Sequence, residues 1–476
     1  MGKGAYMFVY NLDANKQMVN GVISSNCMYD NGEEGSTISL WNNVTIPTQS
    51  AIPEKGWNNP QYIEANGTGS CATQQSSFTL GFANGGALTI DLETAIPEAR
   101  QTTTGNIMCS LSSNYSIDPF TGQVNIGVII LPDASEIPDQ NLYIPQNPAR
   151  WMEELNTNSN GKFFQRTFNQ VSLPASHDSG MSCTTRCTPL AGSPQTQTQT
   201  LNIAGQLDAG IRYFDLRPCV WEVNEDCLVP DFYFGHFTPV PIIGGMGCLG
   251  QNMKEALEQV AAFLSLNTQE IVVLKFSHFG DKDGHNFTIA LQQMMITDIK
   301  NVLANQLFVT TEHQKINNKT LQTVISSGKR VICVFDDLDS SLHNPEEGIL
   351  IFGDIANTPV PKSNFDVYDS YADTDNLTIM VADQIDKYQL FTTRAYGMFL
   401  LSYTLTQSTN DAITSEFGID SILELADAAN KYLWTVVTSM VSASSPKKIP
   451  NLVNVDNVDS KNAVSATYYF NIISMQ

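Results

Sequence analysis

Positive charge is scarce in this sequence. Its 476 residues include 25 Lys+Arg against 48 Asp+Glu, a formal charge of −23, and only 15% of the chain is charged at all. The acidity is therefore a shortage of bases more than a surplus of carboxylates. A chain this negative is excluded from nucleic-acid binding by general phosphate neutralisation. On average it is also repelled by an anionic bilayer. Residues 1–150 carry 5 Lys+Arg and 13 Asp+Glu, so the imbalance is spread along the chain, with no basic arm or acidic tail. Histidine is scarcer still: there are six, all at or after His177, which confines imidazole chemistry to the second part of the chain. No apolar run reaches spanning length, the best being Ile126–Pro132. The start lacks the apolar core and cleavage site of a signal peptide, and Tyr6 breaks the myristoylation pattern. These absences predict a cytoplasmic protein or one secreted by a non-standard route, meeting membranes only peripherally.

Nucleophile and metal signatures are missing too. There is no G-x-S-x-G elbow and no Cys-His signature, and the nine cysteines match no zinc-ligand spacing. Cys183, Cys187, Cys219, Cys227 and Cys248 cluster in sequence and would pair in an oxidising compartment. Reduced, partly buried thiols are an equal reading.

Hydrophobic residues at 42% are ample for packed cores, and the length suits two or three domains. Residues 1–132 read as β throughout: short runs such as YMFVYNL, SFTLGF, ALTIDL and VNIGVIIL alternate with turn formers such as DNGEEGS and FANGGA. Closely spaced short strands predict an antiparallel sandwich. The stretch Pro132–Pro148 holds four prolines and no periodicity, which predicts a linker over 133–148. From 149 to 476 strand-like runs alternate with helical patterns. The strands are VSLPASHDSG, IRYFDLRP, DFYFGHF, EIVVLKFSHF, KRVICVFDD, LTIMVADQ, MFLLSYTL and NLVNVDNV. That alternation argues a parallel sheet, and the strand count favours a (β/α) barrel.

Active sites of such barrels are built at the carboxyl ends of the strands. Those ends carry His177 and Asp178, then Asp215 and Arg217 on one face by period two, then His236, then Lys275 and His278, and finally Asp456. A lone histidine in a core strand is usually structural. Two histidines, an arginine and several aspartates on successive strand ends are harder to explain that way, because buried unpaired charge is costly. A neutral imidazole takes a proton and an imidazolium gives one, as in-line displacement at phosphorus requires. A guanidinium matches two phosphoryl oxygens. The set points to phosphodiester cleavage without a metal.

The motifs WMEEL…VSLPASHDSG, QLDAGIRYFDLRP, FYFGHF, EIVVLKFSHF and PNLVNVDNVD, in that order, resemble the X domain of phosphatidylinositol-specific phospholipase C in its bacterial-type, metal-independent form. The resemblance covers nearly all of residues 149–476. It implies a distorted TIM barrel that cleaves an inositol phospholipid to diacylglycerol and inositol 1,2-cyclic phosphate, with no cofactor. By motif, His177 matches the general base, Asp456 the carboxylate orienting it, His236 the general acid and Asp178 its partner. Arg217 matches the phosphate-binding arginine, at a place where calcium-dependent relatives have a metal-ligand carboxylate, and Asp215 a supporting carboxylate. Substrate contacts are expected from Lys275, for which a core ion pair is an equal reading, from Asp383, and from an aromatic platform at Tyr403 or Tyr388. His278 is read as structural. Residues 1–132 lie outside this resemblance and are only faintly similar to lectin-like or cytolysin-like modules. They suit a lipid- or glycan-binding sandwich, or a structural cap. Related phosphodiesterase activity on another head group, or a binding protein with a weakly active barrel, are the competing readings.

Overall fold

Eight short segments, buried along almost their whole length, close into a parallel barrel in sequence order: Leu173–Ser176, Tyr213–Leu216, Val272–Phe276, Val331–Phe335, Leu350–Asp354, Phe365–Tyr368, Met398–Tyr403 and Leu452–Val455. The last pairs with the first, Leu452 opposite Leu173. Strands covered on both faces read as unbroken apolar runs, which is why VVLKF and VICVF show no alternation. The structure is a computed structural model. It describes residues 145–189, 191–222, 230–240, 244–356, 362–392, 396–407, 421–442, 448–459 and 462–475, together with strands between Gly4 and Ile130.

Two of the eight predicted barrel strands are something else. The DFYFGHF run forms Tyr233–Val240, antiparallel to Gly244–Asn252. It belongs to a separate five-stranded sheet with Arg186–Cys187, Pro218–Val220 and Gly280–Asp281. No helix separates it from its hairpin partner, so a parallel crossover was ruled out locally. The LTIMVADQ run is the start of a helix, Leu377–Thr392. Its β-branched residues mimic a strand, but Asn376 accepts the N–H of Ile379 as an N-cap does. The barrel completes itself with Leu350–Asp354 and Phe365–Tyr368. These were missed because one contains a glycine and the other a buried aspartate. Gly353 lies against Ser363, and Asp366 accepts Lys315 Nζ at 2.9 Å.

Below the barrel, Trp151, Phe163, Phe164, Phe168 and Tyr468 join the core. There Arg212, just before the second strand, meets Glu270, just before the third, at 2.7 Å with both side chains fully buried. Charge at this end is paired internally and is structural. Helices Met253–Leu266 and Ile289–Leu303 precede the third and fourth barrel strands.

The chain divides into two compact units, one of Met1–Pro138, Ala372–Asp386 and Thr435–Ala443, the other of the remainder. Among the described residues between Gly4 and Ile130, twelve strands form two sheets of seven and five, antiparallel apart from the parallel pair Gly4–Asn11 and Val124–Ile130. Residues 133–144 of the expected linker, and Cys227, lie outside the described residues. Cys187 and Cys248 form a disulfide, whereas Cys183 and Cys219 are free. Among the described residues no helix is long and apolar enough to cross a membrane.

Candidate active site

The carboxyl end of the barrel opens into a cavity of about 390 Å³. His177 follows the first strand directly, and its amide donates to Val455 O of the eighth. Its Nδ1 lies 2.8 Å from Asp456 Oδ1, and its Nε2 2.7 Å from Arg217 Nη2. A guanidinium only donates, so Nε2 accepts and Nδ1 carries the proton toward Asp456. That tautomer leaves the lone pair on the nitrogen facing the cavity. Burial disfavours the imidazolium, but Asp456 outweighs it against the opposing charge of Arg217, and the His177 pKa rises above its ordinary value.

Arg217 is the hub. Nε and Nη2 donate to Asp215 Oδ2 at 3.2 and 3.0 Å, and Nη1 lies 3.5 Å from Asp178 Oδ2. Burial by itself would raise both carboxyl pKa values; Arg217 outweighs it and holds Asp178 and Asp215 low, Asp215 well below the usual carboxylate range. Reciprocally, burial opposes the charge of Arg217, and Asp178 and Asp215 more than restore it. Asp178 takes φ +41°, the left-handed region. His278, Asp337 and Asn457 do likewise just beyond the third, fourth and eighth strands. Non-glycine residues held this way at one rim of a barrel mark a built site.

His236 comes from the adjoining sheet, with Nδ1 3.0 Å from Asp178 Oδ2. The two side chains form an ion pair at that distance, and the contact helps to hold the Asp178 carboxyl low. The strand sits where it does because Gly180 leaves room for it: a Cβ there would lie 2.2 Å from the Phe234 ring.

The structure thus brings His177, Asp178, Asp215, Arg217, His236 and Asp456 together. Lys275 also reaches the cavity, where it pairs with Asp369 at 2.8 Å. Burial opposes its charge, and Asp369 and Asp215 outweigh it, so its pKa is raised. Its side chain is both ion-paired and on the cavity wall.

Tyr403 and Asp383 do not join this group. In the seventh strand Leu400 and Ser402 face the cavity, so Tyr403 faces outward by period two, and its hydroxyl donates to Ala429 O at 3.1 Å. Asp383 sits on the helix that replaced the predicted strand, accepts Gln384 Nε2, and is not among the cavity-lining residues. Tyr388, on the same helix, donates to Lys448 O.

Sequence reasoning missed the opposite wall. Asp336, Asp354 and Asp369 stand at the ends of the fourth, fifth and sixth strands and line the cavity, with Tyr371 half-exposed beside them. Each is the aspartate that ends an apolar run (VICVFD, LIFGD, FDVYD), a legible signal once the strands are known. Burial, reinforced by the neighbouring carboxylates against Lys275, pushes Asp336 up to about 6. His278, read as structural, lines the cavity too, its pKa lowered by burial and by Arg217. Tyr213 OH, Gln195 Nε2 and Asn454 Oδ1 are buried on its walls without hydrogen-bond partners. Burial keeps the Tyr213 phenol protonated.

No family model matches the chain. It is 32% identical over 125 residues to human PI-PLC X domain-containing protein 3, which covers 26% of this chain and 33% of that protein. A PI-PLC X-box domain-containing protein of Dictyostelium discoideum is 24% identical over 206 residues, 40% of this chain and 24% of that one. The chain therefore spans about a third or less of the length of these curated relatives. Among solved structures, phosphatidylinositol-specific phospholipase C from Listeria monocytogenes superposes with a TM-score of 0.46 at 18% identity, covering 68% of this chain and 98% of that one. The Staphylococcus aureus enzyme gives 0.45 at 15%, over 69% and 99%. In sequence the chain is similar to proteins named for the PI-PLC X domain.

Proposed function

From that likeness and the rim of the barrel, we propose that the chain is a phosphatidylinositol-type phospholipase C, residues 149–476 forming the catalytic barrel. The observation that carries the reading is the chain of contacts Asp456–His177–Arg217–Asp178–His236. His177 Nε2, unprotonated, takes the proton of the inositol 2-hydroxyl. The freed oxygen attacks phosphorus, and the bond to the glycerol oxygen breaks. His236, protonated, gives its proton to that oxygen, so diacylglycerol and inositol 1,2-cyclic phosphate are released. Arg217 must turn its Nη2 from His177 to the phosphoryl oxygens, whose growing charge it stabilises. Asp456 holds the tautomer of His177, and Asp178 stabilises the imidazolium of His236. Asp215 holds Arg217 in place.

The reaction so written needs no metal. Arg217, paired with Asp178 and Asp215, supplies the positive charge that the phosphoryl oxygens need. For the head group, the unpartnered Tyr213, Gln195 and Asn454 atoms and the Lys275–Asp369 pair present donors and acceptors suited to ring hydroxyls. A second reading, a phosphodiester with a zwitterionic head group, is favoured by one observation: three carboxylates, Asp336, Asp354 and Asp369, face the same space. Residues 1–132 are assigned to a β-sandwich that brings the barrel to a lipid or glycan surface, with 133–148 as linker; the twelve strands in two sheets support this. Membrane contact is then peripheral.

Phosphatidylinositol vesicles test the assignment. With EDTA present the wild type should release inositol cyclic phosphate, and His177→Ala should not. Abolition by EDTA would rule out the metal-free route; absence of the cyclic product from every inositol lipid would rule out the substrate.

A further inference from the structure

The two imidazoles of this reaction are held in different ways. His177 is fixed by directed contacts at both ring nitrogens. His236 has a directed contact at one ring nitrogen, Nδ1, which lies 3.0 Å from Asp178 Oδ2. Whether that nitrogen reaches Asp178 depends on the backbone of Tyr233–Val240, which is outside the barrel. In the register of that sheet His236 is paired with Cys248 on the neighbouring strand, and Cys248 is paired with Cys187 on the next. The Cys187–Cys248 disulfide closes this pair. It ties the strand backing His236 to the segment that runs on to Gln195, Thr196 and Thr198 in the cavity wall.

There is no slack between these strands. A Cβ at Gly247 would lie 2.0 Å from the His236 carbonyl oxygen, and one at Gly235 2.8 Å from Cys219 Cβ. With side chains absent at the contact, a shift of Gly244–Asn252 passes directly to the backbone of His236.

We propose that the Cys187–Cys248 disulfide positions His236, so that the thiol–disulfide state of this pair sets the rate of leaving-group protonation. The inference rests on the reaction assigned above. A small dithiol reduces the pair with two electrons: the S–S bond breaks, both cysteines become thiols, and the dithiol closes to its own cyclic disulfide. The strands around Cys248 then lose their covalent tie, and the imidazole loses its aim.

Two soluble substrates sharing one head group separate positioning from general stability. Short-chain phosphatidylinositol expels an alkoxide that needs a proton; a 4-nitrophenyl inositol phosphate expels a phenolate that does not. In the full chain, reduction should slow the first by about 10–100-fold in kcat with little change in KM, since small misplacement of a catalytic acid costs about that much. The second should change less than about twofold, within the weight of a neutral contact, and reoxidation should restore the first. A Cys187→Ser/Cys248→Ser double variant should behave like the reduced enzyme and ignore the dithiol. Equal loss on both substrates, no loss on either, or unfolding of both the reduced enzyme and the double variant would each overturn the proposal. Failure of the oxidised wild type to cleave either substrate, seen before any dithiol is added, would overturn the reaction itself and the proposal with it.

Discussion

His177 shows how a few contacts set the chemistry of one side chain. Its pKa is raised because Asp456 outweighs burial and Arg217, and a base works only when unprotonated. The acid limb of kcat/KM should therefore fall above pH 6.5, the ordinary value. Asp456→Asn removes what raises the pKa, so the limb should move to lower pH while kcat falls by about 10²-fold or more. A pH profile of that variant with its limb unmoved would refute Asp456 as the partner. Asp336 offers an independent stability test. Burial first, then its acidic neighbours, hold its pKa at about 6, above the unfolded value. The folded state therefore disfavours its charged form. The penalty is absent below about pH 4, grows between pH 4 and 6 and is complete above. Asp336→Asn should raise stability at pH 7.5 by about 1–2 kcal/mol, allowing for its solvent contact, and leave it unchanged at pH 4. Denaturant melts at the two pH values decide it. His177, Arg217 and Asp456 were legible from sequence because each follows or ends a recognisable apolar run. Tyr213 was not, because a tyrosine within such a run looks like core until the cavity floor is seen.

Elements decided more than single residues did. Eight strands were expected and eight close the barrel, but six are shared between the two sets. A run of β-branched residues cannot report whether its hydrogen bonds go along the chain or across it, and LTIMVADQ went along it. The Tyr233–Val240 strand read correctly as a strand, and only its partner revealed that it lies outside the barrel. That placement depends on Gly180. Gly180→Ala would set a methyl against the Phe234 ring, where 2.2 Å is available, costing about 1–3 kcal/mol by overpacking. Turnover, measured well below the melting transition, should fall about tenfold or more as His236 is displaced. Wild-type turnover in a variant with a lowered Tm would separate this glycine from the acid.

The whole molecule keeps the constraint imposed by its shortage of Lys and Arg. A charge of −23 predicts weak adhesion to anionic bilayers, most of all at low ionic strength, where screening is least. On vesicles of fixed phosphatidylinositol content, turnover should fall as phosphatidylglycerol replaces phosphatidylcholine, and salt should recover it. Turnover indifferent to both would show that net charge does not govern access. At the active site the global charge is overruled, because Arg217 is held among carboxylates in a buried setting where local fields exceed the screened surface potential.

From one chain alone came the alternation that makes a barrel, the acidity that restricts its surfaces, and the two motifs carrying His177 and Arg217. These are local properties, written in neighbouring residues. Tertiary structure decided what depends on residues far apart in the chain: the wall of Asp336, Asp354 and Asp369, the outward turn of Tyr403, and the disulfide opposite His236. Strand partnership decides which face of each run meets the cavity, and no spacing along the chain encodes that partnership.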